Sequence, residues 1–224
     1  MEYTRILIIR FTNEIASHEI KLFRGAVIHA LDHNNVLFHN HLDNKFLYNY
    51  PLIQYKRINK RAAIVCVNQG TDAIGDFFSS HNFMFMLGDR NIEMDIESVK
   101  PQRLVVQIWN TAFKYHIRKW LPLNSENYEK YQDIEGLAER VSFLEHILIG
   151  NILSFTKGLG IFLDKEVICK ILQLSDPVMI GNKGVKLMSF DALFESNVSI
   201  PDYVGIGKNA SINFGTVTRV RTNE

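Results

Sequence analysis

Two histidines separated by one residue, His39 and His41, hold the residue types most able to do chemistry in this chain. In an extended segment, residues two apart project from the same face, so the two imidazoles would stand side by side. Imidazole titrates near neutral pH, which lets one ring accept a proton while its neighbour donates one. Cleaving RNA through its own 2′-hydroxyl requires that pair of roles, a base for the hydroxyl and an acid for the departing 5′-oxygen. The same spacing also suits a His-x-His metal pair or a polar loop with two incidental histidines, and residue types alone leave all three readings open. His29 and His33, four apart on an expected helix, have metal-ligand spacing too. No Glu accompanies them as in HExxH, and they read as partly exposed histidines beside a core stripe.

A second stretch lies near the end. Gly205 and Gly207 flank Ile206, Lys208 follows, and Asn213, Phe214 and Gly215 close the segment. Small or left-handed-tolerant residues on both sides of a polar stretch let backbone N–H groups approach an anion closely, although a hairpin with glycine turns uses the same composition. A Walker-type phosphate loop is disfavoured, because Asn209 rather than Ser or Thr follows Lys208 and position 202 is Asp. Upstream, Lys114, His116, Arg118 and Trp120 alternate along one strand-like segment. Three basic or protonatable groups and an indole on one face would suit a phosphate backbone with a stacked base, and would equally suit a solvated sheet face. Tyr48, Tyr50, Tyr55 and Lys56 could line the histidine site, or serve as core and sheet surface.

The elements that must position these groups follow from periodicity. Residues 3–11 read as a buried strand; Ser17 can cap a helix that carries Glu19 in its first turn and Ile20, Phe23, Val27, Ala30 and Leu31 as its apolar stripe. Residues 46–57 and 61–68 read as paired strands across a basic turn at 58–60. A helix over 70–78 and strands over 83–87 and 91–96 complete strand, helix, strand, strand, helix, strand, the ferredoxin-like order. Residues 100–103 read as a junction. Beyond it come strands over 104–108 and 113–120, and a long helix over 134–155 with Leu137, Val141, Leu144, Leu148 and Ile152 as its stripe. Strands over 167–174 and 185–190 follow, joined by a connection containing Pro177, Gly181 and Gly184. The glycine loop then leads to a last strand over 216–220.

Composition bounds the class. The 224 residues suffice for one large domain or two, and 46% hydrophobic content can fill a core. Lys plus Arg (25) nearly balances Asp plus Glu (24), so any electrostatic case for nucleic acid is local. Cys66 and Cys169 have no CxxC spacing and the N-terminus is not signal-like, which favours a reducing, cytoplasmic setting. The most apolar run, 144–155, is interrupted by Glu145, His146, Asn151 and Ser154, so no membrane partner is expected.

The pattern of Gly205, Ile206 and Gly207, five residues, then Asn213, Phe214 and Gly215 resembles the signature loop of the repeat-associated RNA-binding (RAMP) superfamily, which includes CRISPR repeat-processing endoribonucleases. Asn213 stands where glycine is usual, and Asn is the next-best residue for positive φ. The run of Tyr50, Pro51, Leu52, Ile53, Gln54, Tyr55, Lys56 and Arg57, with His39 and His41 before it, is similar to the N-terminal half of one branch of that family. The resemblance implies an α+β chain of two tandem ferredoxin-like (RRM-like) domains, 1–102 and 103–224, the second carrying the glycine-rich loop. It implies a metal-independent endoribonuclease, without cofactor, that cuts CRISPR repeat RNA to leave a cyclic phosphate and a 5′-hydroxyl. His39 and His41 would be catalytic. Gly205, Gly207, Lys208 and Gly215 would hold phosphates, with Arg57, Lys114 and Arg118 as further RNA contacts. Partners beyond the repeat RNA would be other subunits of a CRISPR interference complex and a second copy of the chain. A non-catalytic RNA-binding subunit would keep the loop and tolerate loss of both histidines; a metal-dependent hydrolase would draw on His29, His33, His39 and His41 and need a carboxylate or water besides.

Overall fold

The computed structural model describes residues 3–30, 41–42, 45–46, 50–80, 83–182 and 184–221. Contacts divide the chain into two units, Met1–Val105 with Ser211–Asn213, and Val106–Ala210 with Phe214–Glu224.

In the first unit, β1 (Thr4–Glu14) leads through a 3-10 turn at Ser17–Glu19 into α1 (Ile20–Ala30). The turn starts at Ala16, one residue before the expected serine cap, and the Glu19 carboxylate accepts the Ala16 N–H at 2.7 Å. Short strands β2 (His41–Leu42) and β3 (Lys45–Phe46) pair with each other. Then come β4 (Ile53–Ile58), β5 (Arg61–Val67), α2 (Gln69–Ser80), the hairpin β6 (Met84–Leu87) and β7 (Arg90–Glu93), and β8 (Ile96–Leu104). The sheet order β4-β5-β1-β8, all antiparallel, is ferredoxin-like. Ile20, Phe23 and Val27 of α1 and Ile74 of α2 are buried with Ile9, Phe11, Tyr55 and Ile64 of the sheet. The Phe23 ring meets Phe11 and Tyr55 edge-on at 5.8 and 5.9 Å.

Asn59 and Lys60, at φ 50° and 67°, make the two-residue turn of the β4–β5 hairpin, at the basic turn read from the sequence. Two expectations need correction. The strand expected from residue 46 starts at 53, because Lys45–Phe46 pairs with His41–Leu42 and Pro51 has no N–H for a ladder. The segments expected to close the sheet instead form the separate β6–β7 hairpin, and β8 closes it, running straight through residues 100–103. As an edge strand exposing Glu97, Lys100, Gln102 and Arg103, β8 has no apolar alternation to read, and its edge position tolerates Pro101.

The second unit contains β9 (Ile108–Trp120), α3 (Ser125–Asp133), α4 (Leu137–Gly158), β10 (Cys169–Leu174), β11 (Val178–Asn182), β12 (Val185–Val198) and β13 (Thr216–Arg219). Its order, β10-β12-β9-β13, repeats that of the first unit, with β11 paired to the first half of β12. Where a second helix would stand, the loop 199–215 joins β12 to β13. Leu144, Leu148, Ile152 and Phe155 are the buried stripe of α4, whereas Leu137, expected in that stripe, is 75% exposed in the first turn. The sequence reading missed α3, which is capped by the Asn124 side chain accepting the Asn127 N–H at 2.7 Å and buries only Tyr131, too little for an apolar period. It also took β11 for a connection. The glycine at 181 lies inside that strand, and Gly184, at φ 80°, makes the turn.

Candidate functional site

His39, with His33 and Tyr48, lies outside the described residues. Of His41 the backbone is described, opposite Phe46 in the β2–β3 pair. His29 is exposed in the last turn of α1. Among the described residues, no group of three or more His, Cys, Asp or Glu side chains could hold a metal ion.

Strand β4 supplies the next groups. Tyr55 points into the core against Phe23, and alternation puts Gln54 and Lys56 on the other face; all three are fully buried. Gln54 Nε2 donates to Tyr50 Oη at 2.7 Å and to the Pro51 carbonyl at 3.0 Å, which fixes the start of the strand. Burial raises the Tyr50 and Tyr55 phenols above their ordinary range and lowers the Lys56 ammonium to about 7. The backbone of β4 is bound on its outer edge by part of the glycine-rich segment. Tyr55 N–H donates to Ser211 O at 2.7 Å, Arg57 N–H donates to Asn213 Oδ1 at 3.1 Å, and Tyr55 forms a parallel bridge with Ile212. Arg57 Nε donates to the Ile15 carbonyl at 2.5 Å, so part of this guanidinium works inside the fold.

The rest of the loop packs into the second unit. Val204, Ile206 and Ala210 are buried, and Tyr203 N–H to Val217 O (2.7 Å), Val217 N–H to Val204 O (2.8 Å) and Ile206 N–H to Gly215 O (2.9 Å) hold it against β13. Gly207 (φ 82°), Asn209 (φ 60°), Asn213 (φ 67°) and Gly215 (φ 56°) all take the left-handed conformation, Asn213 as expected of the residue replacing a glycine. A Cβ on Gly207 would lie 2.6 Å from Asn151 Oδ1 and 3.3 Å from Trp120 Nε1. Those atoms share a 2.8 Å hydrogen bond. A Cβ on Gly215 would overlap the Ile206 carbonyl oxygen. Gly215 N–H donates to Lys119 O at 3.1 Å, and Gly205 is buried in a bridge to Thr216. The Gly215 amide, expected to meet phosphate, is therefore used within the fold. Lys208, between two left-handed residues, is exposed, and the Asn209 amide nitrogen beside it is buried with no hydrogen-bond partner among the described residues.

On β9, Lys114, His116 and Arg118 share one exposed face. Trp120, expected beside them, does not. Lys119 takes φ 49° at a register shift between the Trp120–Phe190 and Ile117–Ala192 pairs, which turns the indole inward to full burial. Asp191 Oδ1 accepts the Lys119 N–H at 2.7 Å, so the bulge is fixed from both sides, by Asp191 at its N–H and by Gly215 at its carbonyl. Glu195 lies 3.4 Å from the Lys114 ammonium. Sequence reasoning missed Asn151, Lys119 and Asp191. Asn151 left a trace, as a polar break in the apolar run of α4 between Leu148 and Ile152.

Family models decide the kinship. The Cas6b N-terminal domain matches residues 2–104 and the Cas6b C-terminal domain matches residues 107–220. The chain belongs to the Cas6b family. A crystal structure of Cas6b is similar with a TM-score of 0.90 at 27% identity, covering 98% of this chain and 100% of that one. One of the CRISPR RNA processing endoribonuclease Cas6b gives 0.75, again at 27% identity, with the same coverage. An uncharacterized protein of Methanocaldococcus jannaschii is 38% identical over 104 residues, 46% of this chain and 69% of its own length. Both Cas6b domains thus have their counterpart here, each a ferredoxin-like unit, and no helix among the described residues is long and apolar enough to cross a membrane.

Proposed function

We propose that this chain is a CRISPR repeat RNA endoribonuclease that cuts one phosphodiester without a metal, His39 and His41 sharing the proton transfers. Endoribonuclease activity follows from family membership. The observation that carries the finer reading is the His-x-His spacing in a chain matched along both halves by Cas6b domains.

One imidazole takes the proton of the 2′-hydroxyl as its oxygen bonds to phosphorus; the other, protonated, gives its proton to the 5′-oxygen as the P–O bond breaks. The products are a 2′,3′-cyclic phosphate on the upstream fragment and a 5′-hydroxyl on the downstream one. In-line placement of the 2′-oxygen must come from RNA binding. Exposed Lys208, with half-buried Gly207 and the Asn209 side-chain amide on either side of it, is proposed to hold a phosphate, with Arg118, Lys114 and Arg57 as further contacts. Repeat RNA is the partner this requires. Association with other CRISPR complex subunits or with a second copy is a separate proposal, read by sedimentation with and without RNA.

The test is single-turnover cleavage of the cognate repeat by His39→Ala and His41→Ala. Each should be about 10² to 10⁴-fold slower, with RNA affinity within a few-fold of wild type and cleavage by the wild type unaffected by EDTA. Full activity in the double variant overturns the assignment, and chelator sensitivity reversed by zinc or manganese moves the chemistry to a metal.

A further inference from the structure

The β9–β12 ladder contains a large irregularity away from the glycine loop. Phe113 faces Ser196 and Ile108 faces Val198, so four residues of β9, 109–112, stand against the single residue Asn197. All four are exposed. Bulges re-aim side chains and concentrate beside functional sites. Here the excursion presents Trp109, whose indole is fixed rather than mobile: Nε1 donates to Ser199 Oγ at 2.9 Å, Ser199 is 8% exposed, and the Phe113 ring stands edge-on at 6.2 Å and 83°. Arg219 lies over Phe113, 4.3 Å from its centroid, and holds that ring in turn. With its one polar group satisfied inside the protein, Trp109 remains 40% exposed.

Trp109 lines a cavity of about 540 Å³ together with Asn110, Ile168, Lys165, Lys170 and Glu195. That is within the range of small-ligand sites, roughly 300–1,000 Å³. Ile168 is 61% exposed, and Lys114 draws on the Glu195 carboxylate at 3.4 Å. The cavity lining itself is charge-balanced, Lys165 and Lys170 against Glu166 and Glu195, and Lys114 beside Glu195 adds a cation at its edge. A pinned aromatic face, an aliphatic wall and cations around a nucleotide-sized hollow make a stacking site for an unpaired base.

We propose that this cavity binds one unstacked nucleotide of the RNA, its base stacked on Trp109 and its phosphate near Lys165 and Lys170. The inference rests on the RNA reading above. Trp109 would set affinity and position along the repeat, not the chemical step.

The experiment uses the full chain and a repeat RNA with a deoxyribose at the cleavage site, so that binding is measured without cutting. Trp109→Ala should weaken binding about 10-fold or more, within the 1–3 kcal/mol that a stacked base contributes, while Trp109→Phe keeps most of the affinity. An abasic scan should find one nucleotide whose removal weakens wild type but not Trp109→Ala. At subsaturating protein, cleavage of the all-ribose repeat by Trp109→Ala should slow in step with the lost affinity. Equal affinity of a folded Trp109→Ala variant, or no such nucleotide in the scan, overturns the inference and leaves the surface to a protein partner. Failure of wild type to bind or cut the repeat overturns the RNA reading itself, a separate result.

Discussion

Replacing Gly207 by Ala should cost the second unit about 2–5 kcal/mol, and the structure divides that cost in two. The residue sits at φ 82°, where a side chain costs roughly 1–2 kcal/mol. The new Cβ would also lie 2.6 Å from Asn151 Oδ1, too close for the Asn151 side chain to stay where it is. Moving it breaks the 2.8 Å bond from Trp120 Nε1, and leaving that donor unsatisfied beside a fully buried indole costs about 1–3 kcal/mol more. Asn151→Ala removes the same acceptor and the obstacle with it. In that background Gly207→Ala should cost only the conformational part, about 1–2 kcal/mol, so the two changes are non-additive by about 1–3 kcal/mol. Urea unfolding followed by tryptophan emission is the assay, since Trp109 and Trp120 both belong to this unit. An equal cost in both backgrounds, or a cost under about 0.5 kcal/mol, refutes the reasoning. Gly207→Val adds a β-branched side chain and should weaken repeat RNA binding as well.

Burial holds Lys56 at about 7 against an ordinary 10.5, so between those values the unfolded chain binds a proton that the folded chain does not. Stability should therefore rise from pH 7 toward pH 10, a gain that urea midpoints of Lys56→Met at the two ends should lack; parallel wild-type and variant curves would contradict it. Tyr115 Oη donates to Val198 O at 3.0 Å and accepts the Ile200 N–H at 2.9 Å, at the point where β12 enters the loop. Tyr115→Phe should cost about 1–3 kcal/mol in the same unfolding assay, and a neutral result would mean that water replaces the phenol.

The strand and helix order of the first unit was legible because β1 and α1 carry apolar residues at strand and helix spacing, while β4 and β5, buried on both faces, are short runs bounded by the turn at Asn59 and Lys60. Its last strand was not. β8 pairs on one side only and exposes most of its side chains, so its sequence resembles a linker. For the same reason α3, which buries only Tyr131, left no period. In the glycine segment, the positions needing left-handed backbone could be read, including the substitution of Asn213. The use of Gly215 to hold the bulge at Lys119 could not, since it depends on a partner almost a hundred residues away. That bulge also misled the reading of Trp120: strict alternation put the indole on the basic face, and one left-handed residue turned it into the core. Conversely, Trp109 carried no periodic signal, because its exposure comes from four residues standing against one.

The central claim is that the substrate's own 2′-hydroxyl is the nucleophile, so that two histidines suffice. Replacing the single ribose 5′ to the scissile phosphate by deoxyribose removes that nucleophile and few binding contacts, since phosphates and splayed bases elsewhere supply most of the affinity. Measured side by side for binding and for cleavage, this RNA should bind nearly as tightly as the natural repeat and stay uncut. Cleavage at the same bond would require an activated water, and would contradict the account.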